Sequence, residues 1–161
     1  MINILVPTDF TADSLMLAEN ALKNSNIEKC NIVLFHAFQP PASPLDMLGA
    51  GHRDPSCELM TESFRQACKQ LKDANVTRIN KIIVRCMTGS TRAVFRNFIE
   101  ANDIDFIYCP NEYCFLPVHA RSVDPQYLFS KCGIPVLKSG VRKTENAYEQ
   151  SFITSFPMAA R

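Results

Sequence analysis

Glycine is scarce in this 161-residue chain. There are five, and none stands in the turn after the first apolar run, Ile2 to Val6. That run ends in Pro7-Thr8-Asp9-Phe10 and feeds a helical pattern, the opening of a βα unit whose parallel sheet is buried on both faces. The loop at the carboxyl end of such a strand faces the crevice where open α/β sheets bind ligands. A dinucleotide fold would need Gly-x-Gly-x-x-Gly in this turn, and a P-loop would need Gly-x-x-x-x-Gly-Lys-Ser/Thr. Neither is present, and one hydroxyl beside a carboxylate is too little for a flavin phosphate loop. A phospho-acceptor receiver domain would end its third strand on an acid, where Arg85-Cys86 stands here. Charge of one sign is lacking too: the formal net charge is +1 with Lys and Arg scattered, so no nucleic-acid or membrane partner is expected. No apolar run approaches the ~20 residues that span a bilayer. The strand pattern begins at residue 2, so no signal peptide is expected. Tryptophan is absent, which leaves the 11 phenylalanines to carry the large aromatic packing.

Cysteine, by contrast, is plentiful. The seven are odd in number and lie in apolar segments without framework spacing, the pattern of reduced, mostly buried thiols in a cytoplasmic protein. The length suits one domain with a full core. After Thr11, a candidate N-cap, Leu15, Ala18, Ala21 and Leu22 share one helical face. Ile32 to Phe38 is too continuous for a one-sided strand and fits a buried parallel one. The segment from Gln39 to Asp54, with Pro40, Pro41, Pro44, Gly49 and Gly51, is predicted to be a long loop, a kind that is functional or mobile. Asp54-Pro55 then restarts a helix with Met60, Phe64, Ala67 and Leu71 inward, down to Asn75. Lys81–Cys86 reads as the third strand. Ser90 is predicted to cap the next helix, with Val94, Phe98 and Ile99 inward. Asp105–Cys109 is the fourth strand, Pro110 to Val123 is irregular, and a short helix runs from Pro125 to Cys132 with Gly133 as its C-cap glycine. Ile134–Leu137 closes the set, and its internal Pro135 places it at a sheet edge. Right-handed crossovers then predict a doubly wound, five-stranded parallel sheet in the order 3-2-1-4-5, with helices on both faces. The domain is expected over residues 1–140, with a polar tail, Val141 to Arg161, that is loosely held or packs on a partner.

Ile4-Leu5-Val6-Pro7-Thr8-Asp9-Phe10-Thr11, followed by Ala18-Glu19-Asn20-Ala21-Leu22, resembles the opening of universal stress proteins. Two later stretches agree. Gly89 with Asn102-Asp103-Ile104-Asp105-Phe106-Ile107 resembles that family's third-to-fourth-strand segment, and Cys132-Gly133-Ile134-Pro135-Val136-Leu137 its closing strand. The resemblance implies a Rossmann-like, adenine nucleotide alpha hydrolase-like fold. It also implies a cytosolic stress-response protein, usually a dimer and often paired through the last edge strand. Some members bind ATP and others do not. Where they bind it, the positions matching Thr8, Asp9, Ala37 and Phe38 lie near the adenosine, with Pro7 beside them.

The phosphate end departs from the family. Nucleotide-binding members carry Gly-x-x-Gly, about nine residues, then Gly-Ser/Thr after the fourth strand, so that bare backbone N–H groups close on the phosphates. Here that strand runs through Cys109 into Pro110, which has no N–H, and Tyr113 stands where the second glycine belongs. The closing pair becomes Arg121-Ser122 before Val123, and no glycine lies between Pro110 and Val123. Asp124-Pro125 repeats the Asp54-Pro55 pattern, so the Asp124 carboxylate is expected to occupy the helix start itself. Against this, Arg121 and His119 supply cations near Ser122, and an Arg can grip phosphate without a glycine cradle. Arg121 reads more readily as a solvated surface charge, and Asp9 equally as an Asx-turn or cap.

Cys109, Cys114, His119 and Glu112 lack the paired spacing of a structural zinc site, so no metal is expected. Cys114, in an irregular segment, is a candidate redox thiol. His36 reads as a satisfied core or crevice histidine, and His52 has no evident partner. No Ser or Cys stands in a nucleophile turn beside a placed His and acid, so no catalysis is expected. The sequence therefore predicts a non-catalytic stress-response or regulatory binding protein without a cofactor. It is expected to be homodimeric through Ile134–Leu137 and to serve a protein partner the sequence does not name. An ATP-binding protein using Arg121, Ser122 and the Pro7–Asp9 turn, and a thiol sensor at Cys109 or Cys114, are the alternatives.

Overall fold

The computed structural model describes residues 1–48 and 55–138. Gly49, Gly51, His52, Asp54 and the tail Val141–Arg161 lie outside the described residues. The strands are β1 (Ile2–Pro7), β2 (Cys30–Phe38), β3 (Ile79–Thr88), β4 (Phe106–Tyr108), β5 (Ser122–Val123) and β6 (Val136–Leu137). The helices are α1 (Leu15–Asn24), α2 (Pro44–Leu48), α3 (Pro55–Leu59), α4 (Glu62–Ala74), α5 (Arg92–Ala101) and α6 (Pro125–Phe129). The sheet runs β3-β2-β1-β4-β6, all parallel, as the crossover rule predicts. Ile4 pairs Ile32 across β1 and β2, Leu5 pairs Ile107 of β4, and Ile107 pairs Val136 of β6.

Strand residues divide between two cores by alternation. Ile4, Val6, Ile32, Leu34 and Tyr108 face α1 and α4, while Leu5, Val33, Phe35 and Ile107 face α5 and α6. Every residue of β2 is buried, which is why that stretch reads as a continuous apolar run.

The structure corrects several expectations. The sheet carries a sixth strand: β5 pairs antiparallel with β2, Ala37 opposite Val123 and Phe38 opposite Ser122. It lies beyond the point where β1 ends, since Pro7 is already opposite Phe35. The long loop contains the short helix α2. Helix α1 starts at Leu15, not near Thr11, because the hydroxyls of Thr8, Thr11 and Ser14 hold residues 8–14 in turns of their own. Phe10 adopts φ 61° within that turn. The single helix expected from Asp54-Pro55 breaks at Met60-Thr61, where extended Thr61 accepts the Phe64 N–H and caps α4.

Thr91, not Ser90, caps α5 through the Val94 N–H. That register turns Phe95 and Ile99 fully inward, leaves Phe98 half-buried and puts Val94 on the surface. Gly89 sits at φ 145°, where a side chain would be strained, and a Cβ there would lie 2.9 Å from Val94 Cγ1, so that side chain would have to shift. Helix α6 ends at Phe129 with Ser130 as C-cap, so Gly133, at φ 95°, serves the turn into β6 and does not cap the helix. β6 is shorter than expected, and among the described residues it is a sheet edge.

Candidate functional site

The site is built where β1 ends. The Thr8 N–H donates to the Phe35 carbonyl (2.9 Å), which carries β1 one residue further along β2. The buried Thr8 hydroxyl accepts the Phe10 N–H (3.1 Å) and pairs with the Ser14 hydroxyl (2.8 Å). Asp9 makes an Asx-turn: its Oδ1 accepts the Thr11 N–H (3.0 Å) and the Thr11 hydroxyl (2.5 Å). Pro7 lies in β1, and Ala37 and Phe38 are buried in the two cores where β5 pairs with them.

His36 joins this turn to β5. Its Nδ1 lies 2.6 Å from the Thr8 carbonyl oxygen, which can only accept, so Nδ1 carries the proton. Nε2 then accepts the Ser122 hydroxyl at 2.9 Å. Burial lowers the His36 pKa below its ordinary 6.5; the Thr8 carbonyl and Asp9 oppose this, and His119 adds to it. The ring is also packed against Phe10 and Phe38. Sequence reasoning did not foresee a serine beside a placed histidine. The third member of the trio is a backbone carbonyl, which brings no charge to stabilise an imidazolium, and burial further disfavours one. Ser122 Oγ also accepts the His119 N–H (3.2 Å), so the pair acts as a clasp between β1, β2 and β5.

The residues that would hold phosphate are engaged with their own chain. Arg121 accepts the Gln39 N–H on its carbonyl (2.7 Å), and its Nη1 reaches the Gln39 carbonyl at 3.4 Å. The Asp124 carboxylate accepts the Gln126 N–H (2.9 Å) and caps α6, as predicted. Tyr113 packs against the core that holds Leu5, Ala37 and Cys109. Its carbonyl accepts from the Gln126 amide at 3.2 Å. Burial, with Cys109, Asp9 and Asp124 around it, raises its hydroxyl pKa far above the ordinary 10.

Two cavities flank the segment after β4. One, of about 500 Å³, lies against α1 and touches Asp9, Asp13, Glu112 and Tyr113. The other, of about 290 Å³, lies against α6 and β6 and touches Cys109, Gln126, Lys131 and Lys138. Pro110 walls both. Arg121, Ser122 and Val123 wall neither. Burial pushes the Cys109 thiol up to about 11, with Lys138 pulling the other way. Cys114 is exposed in the larger cavity. Among the described residues no three His, Cys, Asp or Glu side chains come together to hold a metal. No helix among them is long and apolar enough to cross a membrane.

Neither a protein-family model nor a curated protein matches the chain. Solved structures do. Hypothetical protein PH0823 aligns at 17% identity with TM-score 0.55, over 88% of this chain and 99% of its own. Hypothetical protein MJ0577, solved as a structural-genomics test of assigning biochemical function from structure, aligns at 16% identity with TM-score 0.54, over 89% and 98%. Universal stress protein UspA from Lactobacillus plantarum aligns at 15% identity with TM-score 0.51, over 85% and 97%. Strand order, layers and coverage thus agree with the likeness read in the sequence, and the chain has the α/β fold of universal stress proteins.

Proposed function

We propose that this is a non-catalytic, universal-stress-protein-like binding protein of the cytoplasm, with a regulatory role, that does not bind ATP in the family's usual way. The observation that carries the reading is the wall of the larger cavity at the ends of β1 and β4. It holds Asp9, Asp13 and Glu112 and, among the described residues, no Lys, Arg or His. A triphosphate entering there would meet like charge with no counter-ion, a juxtaposition that costs several kcal/mol. Tyr113 and Pro110 take the places of the glycines, and Asp124 occupies the start of α6. Titration of Mg-ATP into nucleotide-free protein by calorimetry tests the reading: no heat is expected, and micromolar binding overturns it in favour of the nucleotide alternative. The thiol-sensor alternative rests on Cys114, exposed in that cavity, and not on Cys109, whose raised pKa keeps it a thiol.

The protein is further proposed to dimerise through β6, which among the described residues pairs with β4 alone. A second copy would cover the unpaired backbone groups of that edge. A monomer at micromolar concentration in light scattering would overturn this.

A further inference from the structure

The segment that crosses from β4 to α6 is attached unlike the rest of the domain. No residue from 110 to 124 is fully buried, whereas every residue of β2, the strand it pairs with, is. Its attachment is β5, two residues long, which pairs with Ala37 and Phe38. The Gln39 N–H extends that pairing to the Arg121 carbonyl at 2.7 Å. Little burial and a short ladder are the marks of a unit that opens at lower free energy than the core around it. The same segment supplies Pro110, Glu112, Tyr113 and Cys114 to the larger cavity, so its opening uncovers that cavity together with the carboxyl end of β2.

His36 lies where this attachment is made. It is 3% exposed, and the rings of Phe10 and Phe38 pack on it. Both nitrogens are committed in the closed arrangement, Nδ1–H to the Thr8 carbonyl and Nε2 to the Ser122 hydroxyl of β5. A second proton has to go to Nε2. It turns that acceptor into a donor, breaks the bond as it stands and places a charge in a closed site. Asp9, in the turn after β1, favours the charged ring, while His119, in the crossing segment, opposes it, and burial outweighs both. Opposite His36 on β3 stands Cys86, and Phe10 packs in turn on Phe64 of α4. Lifting β5 brings water to Nε2, and the charged ring is then solvated.

We propose that residues 110–123 form a lid over the larger cavity and the end of β2, released when His36 gains a proton. The ring binds that proton more readily with the lid open than closed, so opening is favoured as pH falls through the ordinary value of 6.5. The lid does not depend on whether the cavity admits a nucleotide, and it gives the regulatory role proposed above an input, acidification.

Hydrogen exchange of the full chain at pH 7.5, 6.5 and 5.5, expressed as protection factors, tests this. The reporters are the N–H groups of Gln39 and Ser122, bonded to the Arg121 and His119 carbonyls, and that of Ile107, bonded to the Pro135 carbonyl within the sheet. Gln39 and Ser122 are expected to be less protected than Ile107 at every pH. Their protection should fall several-fold from pH 7.5 to 5.5, with a ceiling of about tenfold for one histidine of ordinary value 6.5. The fall should vanish in His36→Asn and persist in His119→Asn. Protection of Gln39 and Ser122 equal to that of Ile107 would mean that no separate lid opens. Protection that does not change with pH would mean that opening does not free His36. Either result overturns the proposal on the wild-type chain alone, even where a variant fails to fold. A fall that survives in His36→Asn would overturn it as well.

Discussion

The two cavities that meet at Pro110 carry opposite charge. Among the described residues, the one against α1 is walled by Asp9, Asp13 and Glu112 with no cation, and the one against α6 by Lys131 and Lys138 with no carboxylate. Only Glu112 of these five charges belongs to the segment after β4. The others come from the turn after β1, from the turn after α6, where Lys131 is held at φ 57°, and from Lys138 just past β6. In a glycine cradle the loop itself is the binding surface, through its N–H groups. Here the loop is a partition, and the elements on either side set what each chamber attracts.

Truncating a wall would break the comparison most severely. Phe129 bounds the basic cavity, is 4% exposed, and packs 5.6 Å from Phe95 and 6.2 Å from Phe35, ring centre to ring centre. Phe129→Ala should cost about 3–5 kcal/mol in urea unfolding, the range for a buried aromatic. Tyr108→Phe, in the acidic cavity, removes only the hydrogen bond from Asn24 and should cost about 1 kcal/mol. Equal costs would mean that the α6 wall is not part of the core.

The thiols sharpen the contrast. Cys109 faces the basic cavity with its pKa raised from 9.0 to about 11, so its thiolate is about 100-fold rarer than that of an ordinary cysteine near neutral pH. Iodoacetamide should therefore modify the exposed Cys114 well before the buried Cys109 at pH 7.5, with peptide mass spectrometry as the readout, and equal rates would mean that burial does not protect Cys109. The same shifts fix the pH limits of stability. Cys109 and Tyr113 are acids whose folded pKa values are raised, so the unfolded chain releases protons first and stability falls as pH rises above about 9. His36 is a base whose folded pKa is lowered, so the unfolded chain takes up a proton first and stability falls as pH drops below 6.5. Urea midpoints should decline on both sides. In His36→Asn the acid-side decline should flatten, and an unchanged acid limb would remove His36 as its source.

The sequence exposed the sheet more readily than the site. Strand order followed from continuous apolar runs and right-handed crossovers, and β2 is legible because burial on both faces leaves no polar position to interrupt it. The helix starts were harder, since adjacent hydroxyl residues are equally plausible caps in sequence: Thr11 and Ser14 stand before α1, where Ser14 is the N-cap position without a side-chain cap bond, and Ser90 and Thr91 before α5, where Thr91 caps. Strand β5 has two residues and no periodicity to read, and its pairing with β2 bridges more than 80 residues. The His36–Ser122 bond depends on that pairing and was invisible for the same reason. The acidic cavity was hidden differently. Asp13, Asn20 and Asn24 look like the solvated face of an amphipathic helix until the Pro110–Cys114 segment is laid across them.

The finest separation concerns Asp124, which touches both chambers' chemistry without lining either. Its Oδ1 accepts the Gln126 N–H, and the Gln126 side chain reaches from the basic cavity to the Tyr113 carbonyl behind the acidic one. Its charge also opposes ionisation of Cys109 and Tyr113. Asp124→Ala removes cap and charge together and should cost about 1 kcal/mol. Asp124→Asn keeps a capping oxygen and removes only the charge, so its urea midpoint should stay within a few tenths of a kcal/mol of the parent. With that charge gone, the Cys109 pKa should fall and its alkylation should speed up, by less than about tenfold because burial remains the larger cause. An Asn variant as unstable as the Ala variant would mean that the carboxylate's charge, not its capping oxygen, holds α6. Unchanged Cys109 reactivity would mean that the two chambers are electrostatically independent.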